Sequence, residues 1–154
     1  MFEEALAWTR PTENPALIQT ALYNLARSAL ARHDYAGAGC MLEEAIGLSG
    51  EVGDRVSLAQ YLEALAVVRS SRGEAERSVL LLGAAEGLLQ EVRAPGYNFY
   101  YPVPSLRERA VDEARANLGF AAFDEARERG QAMTLEQAVA YALSETEAPE
   151  RPRP

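Results

Sequence analysis

This sequence contains no lysine. Its 15 basic residues are all arginine and face 23 aspartates and glutamates, which gives a formal net charge of −8 and a pI near 4.8. Histidine and cysteine occur once each, as His33 and Cys40. Each scarcity excludes a chemistry. A P-loop uses a lysine to reach the phosphates, so no such nucleotide site is expected. Schiff-base catalysis on a lysine is excluded for the same reason. A single cysteine forbids a disulfide within the chain, which fits a reducing compartment. Structural zinc sites draw on about four Cys or His ligands, and this sequence has two such residues. An acidic chain is a poor electrostatic match for nucleic acid. No apolar run approaches the roughly 20 residues of a membrane span, and the opening Met1-Phe2-Glu3-Glu4 lacks a basic signal region. The expectation is a cytoplasmic chain with no metal, no cofactor, no membrane contact and no direct nucleic-acid binding.

What is abundant favours helix. The chain of 154 residues carries 28 Ala, 19 Leu and 19 Glu, all strong helix formers, and its length suits one domain of about 100–150 residues. Phe2 to Thr9 reads as a short amphipathic helix, and Arg10 to Asn14 breaks it. Asn14-Pro15 is a helix start, with Asn as cap and Pro in the first turn. Leu17, Leu22, Leu25, Ala26, Ala29 and Leu30 then mark an amphipathic helix to about Arg32. After the turn His33-Asp34, a second helix runs from Tyr35 to Leu48 with Ala38, Met41, Leu42, Ala45 and Ile46 on one face. The stretch Ser49 to Asp54 closes it, a glycine supplying the left-handed cap. Leu58, Leu62, Leu65, Ala66 and Val68 mark a third helix to about Ser71. A fourth spans Ala75 to Val92, ended by Ala94-Pro95-Gly96.

Shifting the chain on itself by 40 residues aligns Leu25 with Leu65, Ala26 with Ala66, Arg32 with Arg72, Asp34 with Glu74, Leu42 with Leu82, Ala45 with Ala85 and Leu48 with Leu88. A period of this size in helix pairs is the mark of a helical solenoid. Four of the twelve aromatic residues then cluster as Tyr97, Phe99, Tyr100 and Tyr101, followed by Pro102 and Pro104. Ser105 caps a fifth helix over Leu106 to Leu118, with Val111, Ala114 and Leu118 inward. A sixth runs from Phe120 to Arg129, with Phe123 and Ala126 inward. Thr134-Leu135-Glu136-Gln137 is a capping box opening a last helix to about Leu143, with Val139 and Leu143 inward. The polar, proline-rich stretch Glu147 to Pro154 reads as disordered.

Both repeats resemble the tetratricopeptide repeat. The likeness runs through Asn24-Leu25-Ala26, His33-Asp34-Tyr35, Ala38, Leu42 and Ala45, and again through Leu65-Ala66, Gly73-Glu74, Leu82 and Ala85. The sequence departs from that pattern at Ala29 and Arg69, where a large aromatic is usual, and at His33, where a glycine is common. The loop makes the unit about six residues longer than the 34-residue repeat. The segments Leu82-Gly83-Ala84-Ala85-Glu86, Glu108-Arg109-Ala110, Leu118 to Phe123 and Gly130 to Leu143 resemble the C-terminal end of LuxR-type bacterial transcriptional regulators and predicted ATPases of the STAND class. The resemblance covers roughly residues 17–145. It implies an all-α, right-handed solenoid: an N-terminal helix and linker over 1–16, two helix pairs over 17–92, a Pro/aromatic loop over 93–104, a divergent helical cap over 105–144 and a tail over 145–154. It implies a non-enzymatic interaction or effector-sensing module, whose partner is a protein, a peptide or another domain of a larger regulator. Exposed apolar surface at the N-terminal edge, with self-association into a homodimer, is a further expectation.

Repeat arrays bind along the concave wall formed by the first helix of each pair. The groove-facing residues are then Tyr23, Arg27 and Leu30 in the first repeat and Gln60, Glu63 and Val67 in the second. The aromatic loop is either a binding edge or a plug folded against the second helix pair. An alternative is a stand-alone helical protein with a small-molecule pocket near Trp8, Tyr23 and that loop. The single residues read more plainly. His33 is a solvent-facing turn residue without a catalytic partner, Cys40 a small buried hydrophobe, and Gly37-Ala38-Gly39 not a dinucleotide loop. Glu43 and Glu44, adjacent in sequence, do not share a helix face.

Overall fold

The structure, a computed structural model, describes residues 14–92 and 104–144, together with Glu4 and Ala7, which are helical and exposed. The rest of the helix expected over Phe2–Thr9, the aromatic loop and the proline-rich tail lie outside the described residues. Among those described the chain is all-helical, with no strand. Seven helices are bounded: α1 Pro15–Ala31, α2 Tyr35–Val52, α3 Arg55–Ser71, α4 Ala75–Val92, α5 Pro104–Leu118, α6 Phe120–Gln131 and α7 Leu135–Ser144.

Local chemistry sets the ends. The Asn14 side chain accepts from the Ala16 amide, Asp34 from that of Gly37 and Asp54 from that of Ser57, each satisfying a donor the helix start leaves open. Thr134 and Gln137 cap each other reciprocally, at 3.0 and 3.1 Å, as the capping-box reading requires. Three ends differ from expectation, the first being α6, which runs through the buried Gly130 to Gln131 rather than ending at Arg129. α2 continues through Ser49 and Gly50 to Val52, and Gly53, at φ 75°, is its left-handed cap. Tertiary contacts hold that last turn: Ser49 is buried and donates to Gln19 Oε1 at 2.5 Å, and Gly50 lies under Val139. α5 begins at Pro104 rather than after Ser105, in line with the tolerance of proline in a first turn.

α1 with α2 and α3 with α4 form helical hairpins, and α2 packs on α3. Their bounds superpose under the 40-residue shift: Pro15–Ala31 falls on Arg55–Ser71 and Tyr35–Val52 on Ala75–Val92. The turns repeat bond for bond. His33 N donates to Leu30 O at 3.0 Å and Asp34 N to Ala29 O at 2.9 Å; Gly73 N donates to Ser70 O at 2.9 Å and Glu74 N to Arg69 O at 3.1 Å.

The remaining helices fold back over these hairpins. α5 lies on α3 and α4, α6 on α4, and α7 on α2. The α4–α6 contact is unusually close because three glycines face it. A Cβ added at Gly83 would stand 2.2 Å from the Arg127 carbonyl oxygen, one at Gly87 2.5 Å from that of Gln131, and one at Gly130 2.2 Å from that of Leu80. Only hydrogen side chains permit backbones to approach so near. One core joins the hairpins with α5 and α7, and a smaller cluster of Val79, Leu80, Ala114, Phe123 and Ala126 joins α4, α5 and α6. Leu17, expected inward, is 48% exposed. In α7 the buried face is Leu135, Ala138 and Ala142, with Val139 and Leu143 partly buried against the first core.

Candidate functional site

The residues expected to line the concave wall fall into two groups. On α1, Tyr23 is buried and its ring lies 4.9 Å from that of Tyr61 on α3, tilted by 49°. Burial pushes the Tyr23 hydroxyl pKa well above the ordinary value, and that of Tyr61 up to about 12. The Arg27 guanidinium sits over the Tyr23 ring, 6.0 Å from its centroid, and the residue is exposed. Leu30 is fully buried, so it is a core residue and lines no groove. The pattern at three- and four-residue spacing that put Leu30 on the wall also fits the hairpin interface, and Leu30 follows the second.

On α3, Gln60 is half-buried, while Glu63 and Val67 are 3% and 4% exposed. The chain's own helix α5 covers this stretch. Arg107 on α5 reaches Glu63 at 3.5 Å. Val67 borders a cavity of about 260 Å3 with Leu106, Arg109, Ala110 and Glu113. The stretch expected as the wall of the second repeat is therefore covered by α5, and of the six expected residues Arg27 alone is exposed. The signal for this was faint in sequence: Leu106 and Ala110, four apart, extend the apolar face of Val111, Ala114 and Leu118, with Arg107 beside it.

A polar seam continues from Glu63 across four helices. Arg107 also faces Glu86 on α4 at 4.0 Å, and Glu86 accepts from Arg127 Nε at 2.8 Å and from Gln131 Nε2 at 2.7 Å, both on α6. Burial pushes the Glu63 carboxyl up to about 7; Arg107 opposes the rise and Glu86 adds to it. Bonding to Glu86 raises the Arg127 pKa in turn. Elsewhere Arg69, 1% exposed, donates to Glu43 at 3.0 Å and lies 4.0 Å from Glu74. Sequence reading marked Arg69 only as a missing aromatic.

The remaining chemical candidates are isolated. His33 is exposed, with Nδ1 3.0 Å from the Tyr35 hydroxyl, and no nucleophile adjoins it among the contacts described. Cys40 is exposed, not buried as expected; the buried small residues beside it are Ala38 and Gly39, the latter against Val68 of α3. Among the described residues no three His, Cys, Asp or Glu side chains group in a way that could hold a metal ion, and no helix is long and apolar enough to cross a membrane. Tyr97, Phe99, Tyr100, Tyr101 and Trp8 lie outside the described residues, and Tyr23 lines neither the cavity beside Val67 nor the one between α4, α5 and α6. No family model, no curated protein and no solved structure matches this chain.

Proposed function

We propose that this chain is a tetratricopeptide-type interaction or effector-sensing module of a bacterial signalling regulator, without catalytic activity of its own. The observation that carries the reading is the coincidence of both hairpins under one 40-residue shift, down to the bonds of their turns. Local signals alone give helices of unrelated length; a shared period in bounds, caps and turns is what a repeat array requires. In this reading the two hairpins are a segment of a right-handed solenoid, and α5, α6 and α7 are its divergent cap. α5 lies where the first helix of a further repeat would stack. Leu17 and Val52, 48% and 49% exposed on the first hairpin, suit the edge on which a preceding repeat, another domain or a second copy would pack.

The test begins with the coding sequence upstream in the same frame. A nucleotide-binding domain there, binding this chain when the two are expressed separately, supports the module. An isolated frame overturns it. Fluorescence anisotropy with duplex DNA gives a second check: no binding is expected, and strong salt-dependent binding sinks the interaction-module reading.

A further inference from the structure

Three helix faces converge on a second cleft, of about 240 Å3, at the junction of α4, α5 and α6. α4 supplies Val79, Leu82 and Glu86, α5 supplies Arg107, Val111 and Arg115, and α6 supplies Phe123 and Arg127. The spacing on each helix is three or four residues, so each set is one face. Val79 and Leu82 are buried, Phe123 is 5% exposed, and Val111 is partly buried beside them. The base of the cleft is therefore apolar. Its rim is cationic. Arg107, Arg115 and Arg127 present three guanidinium groups against one lining carboxylate, Glu86, in a chain whose net charge is −8.

The arginines are held rather than loose. Arg127 is fixed by Glu86 at 2.8 Å, Arg107 by Glu63 at 3.5 Å, and the Arg115 guanidinium lies over the Phe123 ring, 4.9 Å from its centroid. Guanidinium groups set in place by a second partner are suited to a planar carboxylate, which they bind in a fork with little further ordering. Glu86 lies against Arg107 and Arg127, Glu63 pairs with Arg107 without lining the cleft, and Asp124 acts on Arg127 from α6, which leaves Arg115 as the lining guanidinium that meets a ring rather than a carboxylate. Arg115, with the N–H groups that Arg107 and Arg127 do not direct at carboxylates, supplies the donors for an anion over the apolar base.

We propose that this cleft binds a small organic acid, a single carboxylate on an apolar body of about the size of one aromatic ring. Pockets for drug-sized ligands run to roughly 300–1,000 Å3, so the volume favours a smaller molecule. The apolar base selects against bare inorganic anions, and the arginine rim against neutral isosteres. The proposal goes beyond the module reading and does not depend on it, since it stands on the cleft's own side chains.

Benzoate serves as the probe, titrated into the full chain by isothermal calorimetry and followed by amide NMR shifts. Benzoate is expected to bind with shifts centred on Val111, Arg115, Phe123 and Arg127, and benzamide about tenfold more weakly or worse, the difference between a charged and a neutral acceptor. Arg115→Gln, on an exposed residue, is expected to weaken benzoate by about tenfold with Tm and far-UV circular dichroism unchanged. Equal binding of benzamide, equal binding of sulfate, shifts centred elsewhere, or benzoate affinity untouched in Arg115→Gln would each overturn the proposal. A tripeptide with a free C-terminal phenylalanine that binds more tightly than benzoate would overturn it in favour of a peptide terminus.

Discussion

α1 and α3 hold the same place in successive repeats, yet their surroundings differ sharply. α1 leaves Thr20 and Arg27 in solvent, whereas α3 is buried at every position from Tyr61 to Arg69. The cause is what packs around each helix. α3 is enclosed by α2, α4 and α5, while α1 keeps Arg27 exposed. Equivalent side chains follow this difference in part: exposed Arg27 corresponds to buried Val67. Two pairs run the other way. Buried Tyr23 corresponds to buried Glu63, and buried Ala29 to buried Arg69. The more enclosed helix thus carries the ionisable groups. Buried charge is costly unless partners meet it, and here the covering elements supply them: Glu43 from α2 to Arg69, and Arg107 from α5 to Glu63.

The largest test of this contrast is Arg69→Ala, which makes the second repeat copy the first. Ala29 is harmless because its site is packed for a small side chain. At position 69 the same residue leaves a cavity and strands Glu43, so a loss of about 3–5 kcal/mol is expected in urea unfolding. Arg69→Met restores volume but not charge, and adding Glu43→Gln to it is expected to recover part of the loss. If Arg69→Ala costs under about 1 kcal/mol, a value typical of exposed pairs, the buried ion pair does not hold the second repeat together.

Glu63 gives the next contrast, because its counterpart Tyr23 has no titration near neutrality. The Glu63 carboxyl ordinarily titrates near 4.5 and is pushed up to about 7 by burial. A raised acid retains its proton in the folded state after the unfolded chain has released it. Its contribution is therefore full below about 4.5 and is lost as pH rises to about 7. Arg107, Glu86 and, through Glu86, Arg127 are the charges facing it. At about 1.4 kcal/mol per pKa unit the full swing is about 3.5 kcal/mol, of which about 2–3 kcal/mol falls between pH 5 and pH 8. Glu63→Gln, which cannot titrate, is expected to gain on the parent chain by about that amount between pH 5 and pH 8. A stability difference that does not change with pH refutes the coupling.

These contrasts also mark what the sequence made legible. The repeat, the helix bounds within a few residues and the capping box were all local or periodic signals. The extension of α2 was missed because Ser49 and Gly50 weaken a helix on their own and are held only by Gln19 and Val139 from distant helices. The candidate wall was legible as a periodicity but not as a surface. Nothing near Glu63 or Val67 in sequence announces α5, which returns from some forty residues downstream. Cys40 differs from expectation for a related reason: a helix rich in small residues packs through several of its faces, and Cys40 lies exposed outside them.

Gly47 and Gly87 occupy one repeat position with opposite neighbours. A Cβ at Gly47 would touch Leu143 Cδ1 at 4.0 Å, an ordinary contact, whereas one at Gly87 would stand 2.5 Å from the Gln131 carbonyl oxygen. Gly47→Ala is expected to be neutral or to stabilise by up to about 1 kcal/mol, through helix propensity. Gly87→Ala is expected to lose about 1–3 kcal/mol, because backbone on α6 has to move. Thermal unfolding of the two variants reads the difference directly, and similar Tm changes would contradict the close α4–α6 crossing.

The smallest effect lies in the two turns. His33 and Gly73 make the same bonds one period apart, and both take the left-handed backbone, at φ 60° and 76°. Glycine adopts it freely, while a residue with a side chain is strained there by about 1–2 kcal/mol, histidine being among those that tolerate it best. His33 keeps one offsetting contact, its Nδ1 3.0 Å from the exposed Tyr35 hydroxyl. His33→Gly is expected to stabilise by about 0.5–1 kcal/mol once the greater freedom of glycine in the unfolded chain is set against the relieved strain. Gly73→Ala, at the same φ without any compensating bond, is expected to lose about 1 kcal/mol. Both are read from denaturation midpoints at constant m value. If His33→Gly instead destabilises, the Tyr35 bond outweighs the backbone strain, and the first turn is held by its side chains where the second is held by its glycine.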